Sequence, residues 1–408
     1  MGSVSVMTAG MSGPHVLCVG GEDHHLRIPF LLELRGRGVR ITAAGTGDGA
    51  PFARAGINYH GYQFDRFISP GGDRVSGREL EEMLGELKPD IVQSFDTKPN
   101  IMVPRAARRF PAIRVVRTIN GMGWVYSSRS PVALALRPVQ AGLHFMAGRS
   151  SDVTVFQNRR DQAFFERYRL VGPGGSVLVP GSGVDVEGFD RALASGHTEG
   201  QLRAAMDLGN AEVVITVTRL TRQKGIPALL KAAALVHRER PGVRFFLVGP
   251  RESEGPLAVS QREIDRHAPY VIATGSRDDV PALLRMADVF AFPTEYREGV
   301  PRVLLEAALA GLPVISTDMP GCDDVIRDGW SGRLVPARSP RQMAKAIIGA
   351  LTSRADARAM ATRAAEHVRA EFGLSLTVSR YHEVYRAVMN PLPASRIEAT
   401  RLATALRT

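Results

Sequence analysis

Short apolar runs of four to seven residues recur along this chain, separated by amphipathic stretches, and the whole pattern runs twice. The first series covers 15–20, 39–44, 90–95, 113–119, 152–156 and 177–180, with helix-like segments such as 77–87 and 100–109 between the runs. A turn-rich stretch, 180–185, and a polar segment to about residue 210 follow; then come 213–217, 243–248, 270–273, 288–292 and 313–316. Strand and helix signals alternating in this way imply mostly parallel sheets covered by helices on both faces. The 408 residues exceed one ordinary core, so two doubly wound α/β domains joined near residue 190 are expected. Open sheets of this kind take ligands beyond the carboxyl ends of their strands, which makes the cleft between the domains the expected site.

Composition narrows the class. Hydrophobic residues at 44% with 23% charged residues describe a globular protein. Cys18 and Cys322 lie far apart in apolar runs, so neither a disulfide framework nor a zinc site is supported. Residues 1–14 lack the basic region and apolar core of a signal peptide, so export is not expected. The best candidate for a membrane span, 132–146, is interrupted by Arg137 and His144. A net charge of +11 and a pI near 10.1 favour an anionic partner: nucleic acid, a phosphorylated substrate or an acidic membrane. Lysine is rare, at positions 88, 98, 224, 231 and 345, which draws attention to Lys98 and Lys224.

Glu298 and Glu306 bracket the start of an apolar helix that has no evident reason to bury an acid. Pro301 suits its first helical position, and Gly299 permits close backbone approach just before it, so this helix start could hold an anion or a polar ligand. Glu306 lies among Val303, Leu304, Leu305 and Ala307, and a buried carboxylate needs donors, from a ligand or from an arginine. After the run 213–217, Arg219, Arg222 and Lys224-Gly225 precede a helix start near Ile226, a pattern suited to a diphosphate or to a solvated basic loop. The loop 274–280, with Arg277, could present backbone groups to a nucleobase, or could be an ordinary helix cap. Thr317-Asp318-Met319-Pro320-Gly321 supplies a fourth loop at the same sheet edge.

Taken together, Arg219 with Lys224-Gly225, the Glu298 and Glu306 pair within 296–308, and 317–322 resemble the donor-binding half of retaining family 4 glycosyltransferases. The resemblance implies the GT-B fold: an acceptor-binding domain over 1–190 and a donor-binding domain over 191–374, with the C-terminal stretch from about 375 to 408 packed back on the first. It implies that Arg219 and Lys224 neutralise a donor diphosphate and that Glu306 holds ribose hydroxyls. Glu298 would face the donor sugar, assisted by backbone groups at Gly299, Val300 and Pro301, with Gly21 and Arg277 also on the donor side. Arg219, Lys224 and Glu298 are the expected catalytic groups, and no metal or other cofactor is expected.

Three segments of the first half, 94–101, 118–124 and 155–161, are similar to a subgroup that builds bacterial surface polysaccharides or lipid-linked oligosaccharides. Many members carry a histidine where this chain has Asn120. His24, Arg27, Lys98, Asn100 and Asn120 follow strands on the acceptor side; His24 and His25 also read as exposed loop histidines. Arg105, Arg108, Arg109, Arg114 and Arg117 form a basic run which, with Trp124, Tyr126 and 132–146, is either a membrane-facing surface or a solvated helix face beside a core helix.

The implied activity is transfer of a sugar from a nucleotide-sugar, with UDP favoured, to a saccharide or polyprenyl-diphosphate-linked acceptor with retention of configuration. The implied location is the cytoplasm, including the inner face of the cell membrane. A same-fold alternative is a sugar-nucleotide epimerase or glycan phosphorylase. A basic nucleic-acid-binding protein is the different-class alternative, disfavoured because little aromatic interleaving is available for stacking.

Overall fold

A computed structural model describes residues 13–63, 69–251, 255 and 257–390. Residues 1–12 of the N-terminal segment and 391–408 of the C-terminal stretch lie outside the described residues. Two parallel sheets organise the chain. The first holds β1 (His15–Val19), β2 (Arg40–Gly45), β3 (Asn58–Gly61), β4 (Ile91–Phe95), β5 (Arg114–Ile119), β6 (Val153–Phe156) and β7 (Ser176–Leu178), in the order β3-β2-β1-β4-β5-β6-β7. The second holds β8 (Val213–Val217), β9 (Arg244–Val248), β10 (Val271–Gly275), β11 (Val289–Phe292), β12 (Val314–Thr317) and β13 (Arg333–Val335), in the order β10-β9-β8-β11-β12-β13.

Each sheet is buried on both faces, which explains why its central strands read as continuous apolar runs rather than alternating ones. The backbone N–H groups at the start of a strand need acceptors, and aspartates one position ahead of neighbouring strands supply them. Asp90 accepts from His15 N at 2.7 Å, Asp152 from Val115 N at 2.7 Å and Asp288 from Val213 N at 2.8 Å.

The edge strands escape the sequence pattern because β3 is short, polar and partly exposed and β13 spans only three residues. The polar segment before residue 210 carries two helices, Val186–Ser195 and Glu199–Ala205, the second opened by a Thr198–Gln201 capping box. Chain crossings between the sheets lie side by side: Val184 N donates to Phe372 O, and Leu374 N to Val184 O, both at 2.9 Å. Beyond them the helix Leu374–Met389 buries Val378, Tyr381, Tyr385 and Val388 among Val16, Cys18 and Phe30 of the first domain. The Tyr385 hydroxyl reaches Gln93 in β4.

Candidate active site

Strand order reverses in the second sheet between β8 and β11, and the loops leaving those two strands diverge around a crevice. The loop after β8 carries Arg219, partly buried, and Lys224, buried, and closes on Gly225. Gly225 has φ of 72°, and a Cβ there would fall 1.9 Å from the Pro293 carbonyl oxygen, so only glycine lets the two loops meet. The helix Ile226–Glu239 starts immediately afterwards. From the other side, the loop after β11 brings Glu298 to Lys224, and the two pair directly with 18% and 10% of their side chains exposed. The Lys224 ammonium also lies 5.4 Å from the centre of the Tyr296 ring.

The following helix is Arg302–Leu309, so Pro301 precedes it as the cap residue instead of filling its first turn. The reason is its ψ of 113°, an extended conformation that delivers Gly299 and Val300 to the cleft before the helix begins. Glu306 is held by Arg302 one turn earlier, at 3.0 Å. Burial raises the Glu306 pKa above the ordinary carboxylate value and Arg302 opposes that rise.

Arg277 is not brought to this pair: it forks onto Asp279 at 2.8 and 2.5 Å, next to the helix Val280–Met286. It follows β10 at the sheet edge, two strands from β8, which explains the separation.

The first sheet reverses between β1 and β4, and a second polar cluster occupies that point. Its hub is Asp96, a residue with φ of 68° directly after β4. Asp96 accepts from Gly21 N at 2.9 Å, from Asn120 Nδ2 at 2.7 Å and from Arg27 at 3.1 Å, while its own N–H donates to Asn120 Oδ1 at 3.0 Å. Burial works against ionisation of Asp96, but Arg27, Asn120 and the Gly21 N–H together outweigh it and hold its pKa below the usual value. Gly21 therefore spends its N–H on Asp96 and not on a donor phosphate. The Asn120 amide is likewise committed to Asp96 as a positioning group.

His24 is buried, contrary to its reading as an exposed loop residue, because the short helix Glu22–Arg27 turns it onto Phe52 at 5.5 Å. Desolvation and the adjacent Arg27 push its pKa down to about 3, so it is neutral. Asn100 is also buried and tied to Ser94 at 2.7 Å and to the Thr118 carbonyl at 2.7 Å, which leaves it bracing β4 against β5. Lys98 pairs with Asp73 at 2.6 Å. Arg117 leaves the basic run altogether: it is fully buried in β5, bonded to Thr154 and to the carbonyls of His144 and Leu170.

The two clusters touch. Gly121 pairs with Glu298 in an antiparallel bridge, and a Cβ on Gly299 would lie 2.1 Å from Gln157 Oε1 and 2.9 Å from the Asn120 carbonyl. Asn158 Nδ2 donates to the carbonyls of Glu298 and Gly299, at 3.0 Å each. Arg297 reaches back to the fully buried Asp161 at 2.6 Å. Asp96, Asn158, Asp161 and Arg297 were not singled out by sequence reasoning. Their only signal was membership of strand-end segments, since each acts across a gap the linear sequence does not show.

Among the described residues no group of three or more His, Cys, Asp or Glu side chains is placed to hold a metal ion. The arrangement instead offers fixed cations, helix starts and paired carboxylates to a polyanionic, polyhydroxylated ligand.

Comparisons with known proteins agree with that chemistry. Residues 211–353 match the family described as Glycosyl transferases group 1. A Mycobacterium tuberculosis GDP-mannose-dependent alpha-(1-6)-phosphatidylinositol monomannoside mannosyltransferase is 29% identical over 285 residues, covering 67% of this chain and 69% of that protein. The Escherichia coli UDP-Gal:alpha-D-GlcNAc-diphosphoundecaprenol alpha-1,3-galactosyltransferase is 27% identical over 272 residues, covering 66% and 68%. Among solved structures, HepE from Anabaena in complex with UDP and glucose superposes with a TM-score of 0.74 at 18% identity, over 92% of this chain and all (100%) of that one. The whole chain has the GT-B fold, and its residues 211–353 match the group 1 glycosyl transferase family.

Proposed function

We propose that this protein transfers a sugar from a nucleotide-sugar to a lipid-linked saccharide acceptor and retains the anomeric configuration. The observation that carries the reading is the Lys224–Glu298 pair at the switch point of the second sheet, with Arg219 on the same loop. As the bond between the anomeric carbon and the phosphate oxygen breaks, negative charge grows on the departing diphosphate. Lys224, Arg219 and the start of the helix Ile226–Glu239 stabilise that charge more than they stabilise the ground state. The acceptor hydroxyl attacks from the face the nucleotide leaves, and its proton passes to the departing phosphate oxygen. No covalent protein intermediate is invoked.

Glu298 receives donor sugar hydroxyls, with the Gly299 and Val300 backbone beside it, and Glu306 receives the ribose hydroxyls in place of Arg302. Both UDP- and GDP-linked sugars are used by the relatives, and the reading favours UDP. The relatives' names include a phosphatidylinositol mannoside and a diphosphoundecaprenol, which supports an acceptor on a lipid and a position at the inner face of the cell membrane. Product analysis tests the reading. With the matching donor and lipid-linked acceptor, an α-linked sugar from an α-linked donor is expected in the proton spectrum; a β-linked product would overturn retention.

A further inference from the structure

No Asp or Glu occurs between Asp96 and Asp152, whereas nine Lys or Arg side chains do. Within that block the helix Pro131–Gly148 rests on the first domain through Ala133, Gln140, His144 and Ala147. Its outward surface is apolar along its length. At 100° per residue, Val132, Val139, Leu143 and Met146 fall along one edge and Leu134 and Phe145 along the other, with Pro138 and Gly142 between them. Val132 is 62% exposed, Val139 59% and Met146 54%, far more than a structural helix of a soluble domain needs to show.

Arginines stand at both ends of this strip. Arg129 precedes the helix, exposed; Arg149 follows it, with its guanidinium 5.7 Å from the Phe145 ring centre; and exposed Arg108 is bonded to Ser150 at 2.9 Å. An apolar helix face bounded by cations and free of acids is complementary to an anionic bilayer surface, where the side chains enter the acyl boundary and the arginines meet headgroup phosphates. A protein partner of mixed charge would leave those cations unmatched.

The strip is also continuous with the cleft. Arg137 on the same helix donates to the carbonyls of Val125, Tyr126 and Ser128, fixing the short helix Gly123–Ser127 that exposes Trp124. That short helix begins two residues after Gly121, which pairs with Glu298. The structure assigns Pro131–Gly148, with Trp124 beside it, as the surface by which this protein lies on an anionic membrane. An acceptor anchored in that membrane then reaches the Glu298 loop from this side. The second statement rests on the proposed lipid-linked acceptor; the first does not.

Co-sedimentation of the full chain with vesicles of phosphatidylcholine, alone or with about one-third phosphatidylglycerol, tests the assignment. The expected result is binding to the anionic vesicles, weakened by salt, and reduced by about tenfold or more in Val139→Asp/Leu143→Asp. Because both side chains face solvent, these substitutions leave the melting midpoint near that of the parent; Arg129→Glu/Arg149→Glu gives a second variant with the same expected loss. Failure of the parent to bind, or undiminished binding by both variants, would overturn the inference. So would a concentration-dependent dimer that Val139→Asp/Leu143→Asp dissolves, since a second copy would then cover the strip. Nucleotide-induced stabilisation measured on the same samples separates the readings: stabilisation without vesicle binding removes only the membrane surface, and vesicle binding without stabilisation removes only the transferase reading.

Discussion

Asn158 of the first domain donates its side-chain amide to the main-chain carbonyl of Glu298 in the second, at 3.0 Å across the cleft. Its Oδ1 meanwhile accepts from Asp161 N at 2.7 Å and caps the helix Arg159–Arg167. One side chain thus stabilises a helix in one domain and positions the donor-side loop of the other. Replacing it by serine keeps an oxygen for the cap and removes the amide that reaches the Glu298 carbonyl. Asn158→Ser is expected to change stability by about 1 kcal/mol or less while lowering kcat/KM roughly tenfold or more. Thermal melts paired with steady-state kinetics check this, and unchanged kcat/KM would assign Asn158 to the cap alone.

Lys224 and Glu298 pose a sharper question, since a paired buried ion is costly when its partner is lost. Lys224→Met alone is expected to destabilise the protein and to lower turnover by roughly 100- to 1,000-fold, the scale of losing one transition-state charge partner. In Lys224→Met/Glu298→Gln the stability should return towards the parent and the turnover should not. Recovery of turnover in the double variant would make the pair structural.

Arg302 answers the Glu306 carboxylate, and burial has raised its pKa. Glu306→Ala is expected to weaken nucleotide-sugar binding by about 1.5–3 kcal/mol, the range for a hydrogen bond to a charged group, with the fold intact. Calorimetric titration reads this directly; equal affinity in both proteins would remove Glu306 from the ribose subsite.

Asp324 lies where the domains meet, accepting from Arg159 N at 3.3 Å. Desolvation and the neighbouring Asp323 raise its pKa to about 6, so the folded protein holds this proton more tightly than the unfolded chain does. Its favourable contribution is therefore present below the ordinary carboxylate pKa and is lost as pH rises through about 6. Asp324→Asn keeps the acceptor and removes the charge. Its melting midpoint should match the parent's near pH 4 (about the unperturbed carboxylate value), gain on it through pH 6 and hold a constant lead above about pH 7. A lead independent of pH would show that the charge is not its source.

The two-sheet architecture was legible because parallel strands covered on both faces are mostly apolar on both, and eleven of the thirteen carry a run in which the pattern registers. The short edges β3 and β13 carry no such requirement and left no trace. On the donor side Lys224, Gly225 and Glu298 stood out because glycine, cation and acid fall at strand ends within single loops. In the first domain, for the donor-side call Gly21 as for the acceptor-side ones, the sequence pointed one layer too far out. Gly21, Asn100 and Asn120 follow strands as expected, yet each bonds to another part of the first domain, and Asp96, which gathers two of them, reads as an ordinary loop aspartate. Arg297 and Asp161, 136 positions apart, meet only because the domains close on each other.

Nucleotide binding at the Lys224–Glu298 crevice is the central claim, and thermal stability of the parent protein and of Glu298→Gln in the presence of UDP, GDP, ADP and their sugar conjugates tests it most directly. The expected result is a raised midpoint for one nucleotide series in the parent, larger for the sugar conjugate than for the bare diphosphate, with that difference lost in Glu298→Gln. No response to any nucleotide, or an identical response to the conjugate in both proteins, would contradict the assignment of this crevice as the donor site.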